Sequence, residues 1–277
     1  MKRKGIVVFL LLAVCFVLCA FVCSCNNQSN DNVVIDILKI GKADCIVINT
    51  GTHIVMIDTG EKENLPKIHY YMNEKQYTKI DMLILTHYDK DHIGGASEII
   101  DTYGVKTVIE SQISSVNEHY IDYHNTLSQL SISPIKLTKN YQFSFDNCNF
   151  EINIPKKTEY EVKQDNNSSL VVSMINGNNR FLFCADAMEL RLSELIEDNI
   201  GHYDFVKLPY HGNYLENYSE FLNMITPEYG AITCSNKNPP SNDTLALLEE
   251  YGIKAYQTRN GTISVFSDGK QIIINQK

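Results

Sequence analysis

The 277-residue sequence has no long internal repeat, which excludes solenoids, propellers and tandem arrays. No linker-like stretch divides its body, so one globular domain is expected there. It has no surplus of basic residues. Against 33 Asp and Glu stand only 24 Lys and Arg, a formal charge of −9, which makes the chain a poor general binder of long polyanions. Cys45, Cys148, Cys184 and Cys234 lack metal-ligand spacing. Their even number permits disulfides in an exported protein, but Cys45, Cys184 and Cys234 sit in apolar, strand-like runs and read as buried thiols. Ser168 and Ser169 have no evident triad partner and read as turn residues rather than nucleophiles.

The N-terminus carries Lys2, Arg3 and Lys4, followed by the wholly apolar or thiol-bearing run Ile6 to Cys23. A basic start and apolar middle are the layout of a secretory signal. Ser24-Cys25 resembles a bacterial lipobox, with Cys25 as the lipidated residue and Cys19 as a weaker acceptor. The alternative is an uncleaved anchor, since about 18 apolar residues just span a bilayer. Both readings leave the body outside the membrane and tethered to it. The expected organisation is a signal over 1–24, a lipidated cysteine and polar tether over 25–32, and a domain over 33–277. Cleavage before Cys25 removes Lys2, Arg3 and Lys4 and no acid, so −9 becomes −12.

Along the body, short β-rich runs alternate with helical ones. Strands are expected at Val33–Leu38, Cys45–Asn49, Ile54–Ile57, Met82–Leu85, Val105–Ile109, Phe181–Cys184, Phe205–Leu208 and Ala231–Cys234, among others. Helices are expected at Leu65–Lys75, Ala96–Tyr103, Asn117–Leu130, Met188–Leu195, Tyr218–Met224 and Thr244–Tyr251. Two sheets covered by helices, an α+β arrangement, is the natural packing.

The chemistry concentrates in His87-Tyr88-Asp89-Lys90-Asp91-His92, four ligand-type side chains after a buried strand and before Gly94-Gly95. Residues two apart in extended backbone point the same way, so His87 and Asp89 face one metal, and the turn aims Asp91 and His92 at a second. Two neighbouring metals are a recurring hydrolytic device. Asp186 ends an apolar strand, where a carboxylate is costly unless paired or on a metal. His211 ends another, between Pro209 and Gly212. The histidines at 53, 69, 119, 124 and 202 fit no ligand spacing and are expected at the surface.

Thr86 to Gly95 (THYDKDHIGG) resembles the metal motif of the metallo-β-lactamase superfamily, in the branch containing the exported domain of ComEC-type DNA-uptake proteins. Leu38 to Cys45, Ile57-Asp58-Thr59-Gly60, Asn166 to Leu170, Phe181 to Asp186, Lys207 to Gly212 and Tyr256 to Val265 resemble its other segments. The resemblance implies an αββα sandwich of two mixed sheets. It implies two divalent ions, zinc or manganese: His87 and Asp89 on the first, Asp91, His92 and His211 on the second, Asp186 bridging. Asp91, Asp186 and His211 are then catalytic, and Asp58 supports the metal loop. Asp44 does likewise or simply ends a turn. Asn166 and Asn167 become weak ligands or substrate contacts. Two departures stand out. Tyr210 replaces the first of two consecutive histidines, and a late histidine is missing near Pro239, where Lys237 is a candidate substitute.

The implied reaction is hydrolysis of a phosphodiester or other small ester by a metal-activated hydroxide, with nucleic acid as one substrate class. A non-catalytic, metal-containing binding protein at the cell surface is the alternative, and a lactam or thioester hydrolase a further one. No protein partner is inferred.

Overall fold

The computed structural model describes residues 32–276. The signal segment 1–24, Cys25 and all but the last residue of the tether lie outside the described residues. Among the described residues no helix is long and apolar enough to cross a membrane.

The first half runs β1 (Val33–Ile37), β2 (Ile46–Asn49), β3 (Ile54–Ile57), α1 (Leu65–Glu74), β4 (Met82–Ile84), α2 (Lys90–Ile93), α3 (Ala96–Tyr103), β5 (Val108–Ser111), α4 (Glu118–Gln129) and β6 (Ile135–Leu137). The second runs β7 (Tyr141–Phe145), β8 (Cys148–Asn153), α5 (Gln164–Asn167), β9 (Val171–Asn176), β10 (Asn179–Phe183), α6 (Glu189–Glu197), β11 (Phe205–Lys207), α7 (Tyr218–Ile225), β12 (Tyr229–Ile232), α8 (Asn242–Glu250) and β13 (Lys254–Gln257). Strands β14 (Ile263–Ser267) and β15 (Ile272–Gln276) then return to the first sheet.

The eight-stranded sheet has the order β15-β14-β1-β2-β3-β4-β5-β6, and the seven-stranded sheet β13-β12-β11-β10-β9-β8-β7. Both are mixed. In the first, β1 pairs antiparallel with β14 and β2, whereas β3, β4, β5 and β6 are parallel. In the second, β10 to β13 are parallel. The turn joining β14 to β15 touches the second sheet: Asn178 N–H donates to Gly269 carbonyl at 2.7 Å, and Ser267 hydroxyl to Asn176 Oδ1 at 2.6 Å.

Strand periodicity explains the layers, because alternate side chains point to opposite faces. Ile46, Ile48, Ile57 and Ile84 meet Phe181, Phe183 and Phe205 between the sheets. Their neighbours Val47, Met56 and Leu83 face Ile68, Met72, Ile99 and Tyr123 of the first helical layer. Leu182, Val206 and Ile232 face Leu192, Phe221 and Leu248 of the second. Each fully buried Phe or Ile contributes about 1.5–3 kcal/mol. The expected α+β sandwich is present, and the four described cysteines are buried.

Caps set several boundaries. Asn117 Oδ1 accepts from Tyr120 N–H at 2.8 Å and starts α4, and the left-handed Gly104 ends α3. The expected strand at Val105–Ile109 begins later, at Val108, because the chain must leave Gly104 before it aligns with β4. Likewise the strand expected at Ala231–Cys234 begins at Tyr229, which pairs with Phe205. Edge strand β13 is only half-buried and lacks an apolar alternation to reveal it.

Candidate metal centre

The site forms where parallel strands of both sheets end. Asp58 follows β3, His87 follows β4, Asp186 follows β10 and His211 follows β11. Backbone bonds tie these loops together. Leu170 N–H donates to Thr86 carbonyl at 3.0 Å, Thr59 N–H to His92 carbonyl at 2.7 Å, and Tyr210 N–H to Ala185 carbonyl at 3.2 Å. The glycine pair after the motif is required by close approach: a Cβ on Gly95 would lie 2.6 Å from Thr59 carbonyl. Asp58, Ala185, Tyr210 and His211 all have positive φ, between 48° and 58°. Such strain costs of order 1 kcal/mol per residue and persists where surrounding contacts enforce it.

His87, His92 and His211 are buried, and their Nε2 atoms have no hydrogen-bond partner. Their Nδ1 atoms are occupied. His92 Nδ1 lies 2.7 Å from Asp58 Oδ2, and His211 Nδ1 lies 2.9 Å from Thr233 Oγ1. His87 Nδ1 faces Thr86 Oγ1 at 3.1 Å and Ser169 Oγ at 3.4 Å. The free nitrogens converge on Asp186, with His92 Nε2 3.4 Å from Oδ1 and His211 Nε2 3.1 Å from Oδ2. Asp186 Oδ1 is also buried without a hydrogen bond. Unbonded imidazole nitrogens around a buried carboxylate are costly without a cation and correct for one. The residues present therefore fit a metal.

Two geometric sets could hold an ion: His87, His92 and Asp186, and Asp44, His92 and His211. We favour the first. Asp44 approaches His211 and His92 on their Nδ1 sides, at 3.5 and 4.0 Å, where Thr233 and Asp58 already bind. Asp44 is instead ion-paired with the fully buried Lys207, which also donates to Ala185 carbonyl at 2.9 Å.

Asp89 Oδ2 lies 3.7 Å from His87 Nε2, and Asp91 Oδ2 lies 3.4 Å from His211 Nε2. The sequence-based grouping placed His92 with Asp91 and His211. The structure brings it nearer His87, with ring centroids 4.0 Å apart against 5.5 Å to His211. Asn166 reaches the centre, its amide donating to Asp186 Oδ2 at 3.3 Å. Asn167 does not: its amide donates to Val162 carbonyl and its Oδ1 accepts from Arg191 N–H. Lys237 is exposed and forms no ion pair among the described residues.

Electrostatics follow from burial and charge together. Burial opposes the charged form of His92, but Asp186 and Asp58 outweigh it and hold its pKa well above the imidazole range. Burial likewise opposes ionised Asp186, and His211 and His92 outweigh it and hold its pKa well below the carboxylate range. Asp91 is depressed as well: burial is overcome by its contact with His211 and by the charge of His92.

Sequence reasoning missed three supports. Lys207 and Arg191 are fully buried, and Arg191 holds the Asn166–Ser169 segment by donating to Ser169 carbonyl at 3.1 Å. The signal was a charge inside an apolar strand or on the apolar face of a helix. Lys42 Nζ lies 3.3 Å from Asp91 Oδ2. An open cavity of 610 Å³ is lined by Gln112, Ser114, Tyr160 and Gln164, the last at the start of α5; none of the candidate ligands lines it.

Comparison with known proteins agrees with this geometry. The family model described as "Metallo-beta-lactamase superfamily" matches residues 39–235. The chain is 23% identical over 255 residues to Recombination protein 2 of Haemophilus influenzae, covering 88% of this chain and 29% of that protein. It is 27% identical over 212 residues to ComE operon protein 3 of Bacillus subtilis, covering 74% of this chain and 26% of that protein. The chain thus spans under a third of these curated relatives. Among solved structures, the metallo-beta-lactamase fold protein YhfI of Bacillus subtilis superposes with a TM-score of 0.56 at 12% identity, covering 88% of this chain and 100% of YhfI. The diiron β-hydroxylase CmlA of Streptomyces venezuelae superposes with a TM-score of 0.52 at 14% identity, covering 81% of this chain and 52% of CmlA. From fold, site and family match together, the chain belongs to the metallo-β-lactamase superfamily, and its curated relatives are of the ComEC type.

Proposed function

We propose that this protein is a metal-dependent hydrolase of ester bonds that works with two divalent cations, phosphodiesters being its favoured substrates. The convergence of the buried, unbonded Nε2 atoms of His92 and His211 on the Asp186 carboxylate, with His87 in the same set of ligand-type residues, carries the reading. His87 and His92, with one oxygen of Asp186 and Asp89 beside them, would hold the first cation. His211, Asp91 and the other Asp186 oxygen would hold the second. A bound divalent cation lowers the pKa of water toward neutrality and polarises the bond under attack, so no side-chain nucleophile is required. The residues around it orient and exclude. Asp58 fixes the His92 ring through Nδ1, Thr233 does the same for His211, and the Asn166 amide steadies Asp186.

Phosphodiesters are favoured by likeness to the ComEC-type relatives, an associational argument. The acidic body favours short or small phosphoesters over long nucleic acid. Oxygen-rich ligation at Asp89, Asp91 and Asp186 favours manganese over what a histidine-rich site would hold. Protein freed of metal and reloaded with zinc or manganese, assayed on a phosphodiester panel, tests the proposal. Turnover with loading supports it. Two bound metals without turnover on any ester would leave a metal-containing binding protein.

We also propose attachment outside the membrane through lipid on Cys25. Radiolabelled fatty acid is expected in the wild type and absent from Cys25→Ala; label that survives the substitution overturns this assignment.

A further inference from the structure

Two lysines reach the carboxylates of the centre, and their surroundings differ. Lys207 is fully buried and held by Asp44 and the Ala185 carbonyl, with Asp186 3.9 Å away. Lys42 has a side chain 34% exposed, and Asp91 Oδ2 at 3.3 Å is its one ion-pair partner among the described residues. Its ammonium therefore keeps donors on the solvent side of the site.

The position of Lys42 is set by backbone. Gly41 turns the chain at a φ of +104°, with open space around it. Three residues later, Asp44 N–H donates to Asp91 carbonyl at 3.0 Å and Asp44 carbonyl accepts from Gly60 N–H at 2.8 Å. The loop carrying Lys42 is thus bonded to the loop carrying Asp91 and to the one after Asp58. The ammonium stands at the mouth of the centre.

We propose that Lys42 is the substrate-anchoring cation, taking a non-bridging oxygen of an anionic phosphoester, and that it selects such substrates over neutral esters and lactams. This rests on the hydrolase reading above. An Asp91 carboxylate shared with a divalent cation attracts the ammonium less, because the two positive charges repel. Lys42 then keeps donors free for an anion that approaches Asp91 from solvent. A compact ammonium can donate to an oxygen from many directions, which suits a tetrahedral phosphoryl group. The body is otherwise acidic, so one placed cation discriminates more sharply than it would on a basic surface.

The test uses the full chain loaded with metal, in wild type, Lys42→Gln and Lys42→Arg. Inorganic phosphate is the probe in isothermal titration, and bis(p-nitrophenyl) phosphate and p-nitrophenyl acetate are the anionic and neutral substrates. Metal per chain is measured in parallel. Lys42→Gln is expected to weaken phosphate binding about tenfold, the worth of one charge-assisted hydrogen bond. It should raise KM for the phosphodiester by a similar factor and by clearly more than for the acetate, and be largely rescued by Lys42→Arg. Unchanged phosphate affinity in Lys42→Gln overturns the proposal. So does metal loss in Lys42→Gln that accounts for the whole defect, which would make Lys42 a counter-charge for Asp91 only. If wild type turns over no ester, the hydrolase reading fails while the phosphate titration still decides the role of Lys42.

Discussion

Replacing Asp58 by asparagine exchanges one oxygen for an amide and reverses one hydrogen bond at the metal centre. Asp58 Oδ1 accepts from Thr86 N–H at 2.9 Å, while Oδ2 accepts from Thr86 hydroxyl at 2.8 Å and faces His92 Nδ1 at 2.7 Å. The Thr86 N–H is fixed and can only donate, so the asparagine carbonyl must stay there. Its amide nitrogen then meets His92 Nδ1 as a donor. His92 Nδ1 must accept, and the ring proton moves to Nε2, the atom that faces Asp186 at 3.4 Å. An N–H cannot ligate a cation. Losing such an orienting carboxylate typically weakens metal binding by about 10–100-fold, or about 1.4–2.8 kcal/mol. The Thr86 hydroxyl also loses its acceptor, which costs the metal-free fold about 1–3 kcal/mol. Competition with a fluorescent chelator measures the first effect, and thermal melting of metal-free protein the second. Unchanged metal affinity in Asp58→Asn, with the fold intact, would refute the tautomer argument.

Asp186→Ala should lose most bound metal while keeping its circular dichroism, because both carboxylate oxygens face imidazoles of the centre; retention of two metals per chain by mass spectrometry would remove its bridging role. Asp89→His should shift preference from manganese toward zinc, read as occupancy and turnover in a metal titration; two equally tight zinc ions in the wild type, with no response to manganese, would contradict this. Arg191→Met should destabilise the protein by about 3–5 kcal/mol in urea unfolding, because it removes the only cation beside the buried Glu194 carboxylate among the described residues and leaves it the Tyr160 hydroxyl and the Lys156 N–H alone. A loss below about 1 kcal/mol would show that water replaces the guanidinium there.

Much of the site was legible because its residues break a local pattern. His87, Asp186 and His211 each follow an apolar strand, and a polar side chain at that point has few structural uses. The layers were legible from short apolar strands interspersed with helices along the chain. What was not legible depends on partners distant in sequence. Lys207 acquires meaning only when Asp44 is brought against it, and Arg191 only when Asn153 and Ser169 surround it. The reach of Lys42 depends on how a loop turns at Gly41, which spacing alone does not reveal. Asn166 and Asn167 look equivalent in sequence, yet one turn of α5 sends the first to Asp186 and the second to Arg191.

The placement of β1 has a consequence for the order in which the molecule can assemble. β1 lies inside the eight-stranded sheet, flanked by β2 and by β14, whose residues are made long after those of β2. During synthesis β1 can pair with β2 at once, but its other edge stays open until β14 arrives. An unpaired interior strand is a template for wrong partners, and pairings this far apart in sequence are slow to close. The closing event does more than cover that edge, since the turn from β14 to β15 also bonds Asn176 and Asn178 of the other sheet. Strands β14 and β15 therefore latch both halves of the sandwich, and any chain shortened before Ile263 would leave β1 open on one side.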